Sequence, residues 1–280
     1  MALAGWWPLV LAGAVAFGAG YGSLAAVFNP RILAAFGARG GAMMSLLNAI
    51  FSLGAIAAPL VFLALGSEPR ATFLVFAVLA AVIWLASGRI GHDGAGAQTA
   101  RSGFRLSWPI LIFGVLAIGM EAALVSLGPT ALIRSGIAAD RAAQLLSLFY
   151  VAYLVSRTVL VFIADRMPAF AVYLAAVAFA TLCAAGAVTL GPAVFFPLMG
   201  VSASLYFHGF FVTATRLMGN DARVPSVIIG SGLLGAIVMP LLCAQAIGMM
   251  GDRGFFWLIL FWAGTLTLGA VAMLGRMTRA

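Results

Sequence analysis

The stretch Leu53-Gly54-Ala55-Ile56-Ala57-Ala58-Pro59-Leu60 returns 181 residues later as Leu234-Gly235-Ala236-Ile237-Val238-Met239-Pro240-Leu241, with six of the eight positions identical. Both copies lie inside apolar runs long enough to cross a bilayer. The repeat extends upstream. Gly18 and Gly37, with Arg39 close behind, correspond to Gly200 and Gly219, with Arg223 close behind, if one residue of slippage is allowed in the loop. Repeated membrane spans are the signature of a transporter assembled from two related units.

Composition places the whole chain in the same class. It is 64% hydrophobic and 8% charged, with a mean hydropathy of +1.16, far more apolar than a water-soluble domain. The net charge of +8 comes from fifteen basic residues, all of them arginine. They are scattered singly through short loops rather than clustered, which argues against nucleic acid and for positive loops on the cytoplasmic side. The two cysteines, Cys183 and Cys243, sit mid-span and read as inert buried thiols, with no metal site and no cofactor expected. The first segment is too long and too weakly basic to read as a cleaved signal peptide.

Nine spans are expected, at about 5–28, 42–65, 71–88, 107–128, 142–163, 169–190, 193–215, 225–250 and 254–275, an all-α integral membrane protein. The Gly- and Ala-containing stretch 89–106 reads as a linker between a partial N-terminal unit of three spans (1–88) and a complete six-span unit (107–280). If the linker is cytoplasmic, ten arginines lie inside and four outside, with Arg157 set aside as intramembrane. This puts the C-terminus inside and the N-terminus outside. The third, sixth and ninth spans carry no Asp, Glu, Arg, His, Asn or Gln, whereas the other six carry Asn29, Asn48, Glu121, Gln144, Arg157, His208 and Gln245. Polar groups in a membrane face protein or water, so every third helix is expected at the periphery and the rest around a cavity.

Gly18-x-Gly20-x-Gly22 with Asn29, followed by Asn48 and Leu53-Gly54 to Pro59, resembles the fourth and fifth helices of the fucose- and glucose-permease-like sugar transporters of the major facilitator superfamily. Gly119-Met120-Glu121 resembles that group's seventh helix, Ser156-Arg157 through Asp165-Arg166 the end of its eighth, and Gly200 to Pro240 its tenth and eleventh. The resemblance implies two six-helix units, the first of which lacks its first three helices here. It also implies a sugar or other small polar solute as cargo, moved with protons by alternating access. Ala25 departs from the pattern, standing where the group often has an acid. The three absent helices leave open a truncated or split transporter without autonomous transport, with a separate chain or missing segment supplying the three helices. Drug efflux on the same fold is a further alternative.

Glu121 is the one carboxylate deep in a span. It lies thirteen residues beyond Trp108, or ~20 Å into a core of roughly 30 Å. An ionised group at that depth costs on the order of 2.5–3.5 kcal/mol on insertion scales, so Glu121 reads as a proton carrier or solute ligand, or else as a paired structural acid. Arg157 reads as an anion ligand, a partner of Glu121, or a structural arginine binding backbone carbonyls. His208 suits proton coupling or helix packing, and Tyr206 suits stacking on a sugar ring or packing. Asn29, Asn48 and Gln245 offer the donors and acceptors that hydroxyls need, although Asn29 beside Pro30 also suits a helix cap. Gly54, Pro59, Gly235 and Pro240 read as geometric, permitting close helix approach and bends. An intramembrane enzyme is disfavoured: Ser202 and His208, six residues apart, fall on opposite faces of one helix.

Overall fold

Apolar runs of this length satisfy their backbone polar groups only by coiling, because lipid offers no hydrogen-bond partner. A computed structural model describes residues 6–66, 68–88, 103–219, 221, 223–251 and 254–279. It consists of nine long helices with no strand among the described residues. These are α1 (Trp7–Phe36), α2 (Gly40–Ala64), α3 (Pro69–Ser87), α4 (Trp108–Arg134), α5 (Ala139–Ile163), α6 (Ala169–Thr189), α7 (Pro192–Met218), α8 (Val224–Met250) and α9 (Gly254–Arg279). Each is long and apolar enough to cross a membrane, and the chain is an integral multi-pass membrane protein. Five of the helices, α1, α3, α4, α7 and α8, start with a proline in the first turn, where the missing N–H has no intrahelical partner to lose.

α1 is longer than the sequence led us to expect. The Asn29-Pro30 pair reads as its end, yet the helix runs on through Pro30 to Phe36. Proline in an apolar helix removes one backbone hydrogen bond and does not force a stop. The real terminus is Gly37, whose φ of +51° only glycine adopts readily, and its repeat partner Gly219 ends α7 in the same way at +89°.

The closest packing runs between α4 and α8, α6 and α7, α6 and α9, and α5 and α7. At the α4–α8 crossing a Cβ on Gly235 would lie 1.8 Å from the Val115 carbonyl oxygen, and at the α5–α7 crossing one on Gly200 would lie 2.1 Å from that of Phe149. Only hydrogen side chains permit these approaches. The repeat partners of these two glycines, Gly54 on α2 and Gly18 on α1, have nothing within 4 Å. α2 packs on α5, α1 on α2 and α8, and α3 has no buried residue. The expectation that α6 is peripheral needs correction: eleven of its residues are buried, because one face packs on α7 and another on α9.

The expected linker, 89–106, falls largely outside the described residues, which resume at 103. From there Arg105 donates its backbone N–H to the Met218 carbonyl at 3.4 Å, and the Arg223 guanidinium stands 4.6 Å over the Phe104 ring. These contacts fasten the entry to α4 onto the turn between α7 and α8. The side chains of Pro59 and Asp165 also lie outside the described residues.

Candidate functional site

A cavity of about 650 Å³ opens between α1, α2, α4, α5, α7 and α8. Among the described residues, none of its lining comes from α3, α6 or α9, which is the three-helix period seen in the polar residues of the sequence. The wall is mostly apolar and aromatic, with Tyr21 and Phe28 of α1, Phe51 of α2, Tyr150 and Tyr153 of α5, and Phe207 and Phe210 of α7. Its polar members are Asn29, Asn48, Ser52, Glu121 and Arg157.

These polar groups are joined in one chain of hydrogen bonds. The Tyr153 hydroxyl donates to Glu121 Oε1 across the α4–α5 contact. Arg157, one turn further along α5, donates from Nη2 to the same hydroxyl oxygen at 2.5 Å, with its guanidinium 4.2 Å over the Tyr153 ring. Its Nη1 donates to the Asn48 carbonyl at 2.9 Å and to Ser52 Oγ at 3.0 Å, both on α2. Its Nε donates to the Ser204 carbonyl of α7 at 3.1 Å. Arg157 is 4% exposed, and four of its five N–H groups are spent on protein acceptors. Glu121 and Arg157 are therefore bridged by a phenol rather than directly paired, and Arg157 has little left to offer an anionic ligand.

The remaining candidates separate. Asn29 is buried inside α1 and lines the cavity, so it does not cap a helix end. Asn48 lines the cavity while its side-chain amide donates to the Met44 carbonyl at 2.9 Å. His208, 3% exposed, stands behind the cavity wall with Nδ1 3.2 Å from Ser45 Oγ, an α7–α2 contact. Tyr206 is fully buried among α6 and α7, its ring centroid 6.5 Å from that of Tyr173, off the cavity wall. Gln245 is exposed on α8 and does not line the cavity. Their faces decide this: His208 and Tyr206 turn into packed helix contacts, and Gln245 turns outward. Gly235 is a helix-crossing point, Gly54 is open, and Pro240 lies within an unbroken α8.

Tyr153, Tyr150, Tyr21 and Ser52 escaped the sequence reading. Spacing held the signal for two of them. Tyr153 precedes Arg157 by four residues, and Ser52 follows Asn48 by four, so each pair shares a helix face.

No family model matches the chain, and no curated protein matches it. A solved structure does: the crystal structure of the E. coli fucose:proton symporter, FucP, with a TM-score of 0.73 at 16% sequence identity, covering 91% of this chain and 74% of that one.

Proposed function

We propose that this chain, which has the major-facilitator-type transporter fold, is a secondary active transporter that moves a small solute by alternating access, coupled to protons through Glu121. The observation that carries the reading is the cavity, in the size range of small-molecule sites. It is enclosed by six helices and holds the one carboxylate set deep in a span. A membrane-embedded acid is expensive to maintain, and in a water-accessible cavity it marks a solute or proton path. Residues 1–88 and 107–280 would be the two moving units, with the C-terminus cytoplasmic and the N-terminus outside.

A sugar is the cargo the lining suits best. Tyrosine and phenylalanine rings offer flat faces for the C–H side of a pyranose. Glu121, Asn29 and the tyrosine hydroxyls offer hydrogen-bond partners for its hydroxyls. The neighbouring fold of a fucose:proton symporter supports the same choice. A hydrophobic cation is the second reading, favoured by a single carboxylate set among aromatic rings and by an otherwise apolar wall. Both readings exclude an anionic solute, because the guanidinium of Arg157 is already engaged.

A three-helix complement, on this polypeptide or another, would pack on α1 and α2. Its support is the internal repeat. Gly200 and Gly235 each receive a neighbouring helix backbone, while Gly18 and Gly54 receive none.

Ligand-induced thermal stabilisation of the purified protein separates the cargo classes. Binding to the native state at a hundredfold excess over Kd adds about 2.7 kcal/mol. We expect stabilisation by one hexose or deoxyhexose, weakened in Asn29→Ala. Stabilisation by cationic dyes alone selects the second reading, and stabilisation by anions alone overturns both.

A further inference from the structure

We propose that Arg157 is a pin holding α2 against α5 and α7, and that Tyr153 ties the strength of this pin to the charge on Glu121. Tyr153 is a positioning residue in this scheme: it acts on the interface through Arg157. The proposal rests on the reading of Glu121 as the proton site and adds a route by which proton occupancy reaches the helix interface.

The argument follows from what a phenol can do. Tyr153 has one O–H to donate and lone pairs to accept with. Ionised Glu121 has only acceptors, so the phenolic proton points at the carboxylate and the oxygen lone pairs turn to Arg157 Nη2. Each bond polarises the other, and the carboxylate charge reaches the guanidinium through the ring hydroxyl. The other side of the same guanidinium holds α2 by the Asn48 carbonyl and Ser52 Oγ, and α7 by the Ser204 carbonyl. A protonated Glu121 carries its own O–H and competes for the phenolic oxygen. Both the charge and the acceptor that steady Arg157 are then weakened at once, and its grip on α2 loosens.

The titratable and charged groups facing Glu121 are few. α1 contributes Tyr21 and α5 contributes Tyr150, Tyr153 and Arg157, while behind the wall α7 carries Tyr206, against Tyr173, and His208, at its own contact with Ser45 of α2. α8 contributes only Ile228, Ile229, Gly232 and Leu233 to the same cavity, and α2 brings no titratable side chain to it. Phenols stay neutral across the physiological range, and guanidinium groups stay charged. Within the cavity a proton that changes the charge of this cluster would reside on Glu121, and the response of Glu121→Gln separates it from a proton on His208 at the α7–α2 contact.

The test is a distance. Spin labels on Leu46→Cys of α2 and Leu148→Cys of α5, both exposed positions, are placed in a Cys183→Ala, Cys243→Ala background in lipid nanodiscs. The inter-label distance distribution is recorded at about pH 8 and about pH 5.5 by pulsed electron resonance. We expect one dominant distance at the higher pH and a displaced population that grows about twofold or more on acidification. Glu121→Gln and Tyr153→Phe should show the displaced population at both pH values, with no pH response. Ser52→Ala removes one α2 acceptor without touching α5, and should raise the displaced population while leaving the pH response in place. Distributions in Glu121→Gln and Tyr153→Phe that match the parent and still respond to pH overturn the coupling. A parent that ignores pH, beside a displaced Glu121→Gln, supports the pin and overturns Glu121 as the proton site.

Discussion

Arg157 illustrates how a single buried cation organises a membrane protein. Its guanidinium satisfies acceptors on α2, α5 and α7 at once. Removing it takes a donor from the Ser204 carbonyl and from the Tyr153 hydroxyl, while the Asn48 carbonyl still accepts from Ser52 Oγ at 2.8 Å. Arg157→Met should therefore cost about 2–5 kcal/mol of stability in a detergent unfolding titration. Arg157→Lys keeps the charge but not the planar fork, so it should recover only part of that loss. At the cytoplasmic turn proposed between α7 and α8, hydrogen bonds from Arg223 to Asp221 hold the Asp221 carboxyl at about 2, against 3.8 when unperturbed. The folded-state value is the lower one, so this pair stabilises the fold above the unfolded value and loses its contribution as pH falls from about 4 toward 2. Asp221→Asn should leave any conformational response between pH 8 and pH 5.5 unchanged, measured by the same inter-label distance. Glu121, Arg157, Asn29 and Asn48 were legible as cavity residues because polarity inside a span is costly enough to stand out. Tyr153 and Tyr150 were not, since a tyrosine in an apolar helix looks like packing until the Tyr153 hydroxyl is seen to bridge Glu121 and Arg157 and the Tyr150 ring to line the cavity. His208, Tyr206 and Gln245 show the converse: polarity marks a residue as unusual in a span without saying which way its helix face points.

At the scale of the helix, the repeated Gly-Ala-Ile-x-x-Pro segment has two different fates. On α8, Gly235 admits the α4 backbone, and a Cβ there would collide with the Val115 carbonyl. Gly235→Ala should destabilise the chain by about 1–3 kcal/mol, as overpacking does, in thermal unfolding of the purified protein. On α2, Gly54 faces open space. Gly54→Ala in the isolated chain should be neutral or stabilising by up to about 1 kcal/mol, because alanine loses less backbone entropy in a helix interior. If a three-helix complement packs on this face as α4 does on α8, the same substitution should impair transport in cells while sparing the isolated chain's stability. The helix count and approximate spans could be read directly from the length of the apolar runs. The end of α1 could not, because Pro30 stops helices in water and is tolerated in a membrane. Nor could the packing of α6, whose small and apolar residues suit a lipid face and a helix contact equally well.

At the scale of the molecule, six of the nine helices of the described residues surround a cavity and three stand outside it, and the polar chain from Glu121 to α2 crosses the contact between α2 and α5. Any alternating-access motion must part contacts at this boundary on one side of the membrane and close them on the other. A proton on Glu121 and a solute against the tyrosines would act where those contacts meet. The most direct test is solute uptake into proteoliposomes under an imposed pH gradient, comparing the chain with its Glu121→Gln variant across labelled hexoses, deoxyhexoses and cationic dyes. Gradient-driven accumulation of one solute, lost in Glu121→Gln while gradient-free exchange persists, is the predicted result. Uphill accumulation that survives in Glu121→Gln, or no flux of any solute through correctly folded protein, would contradict it.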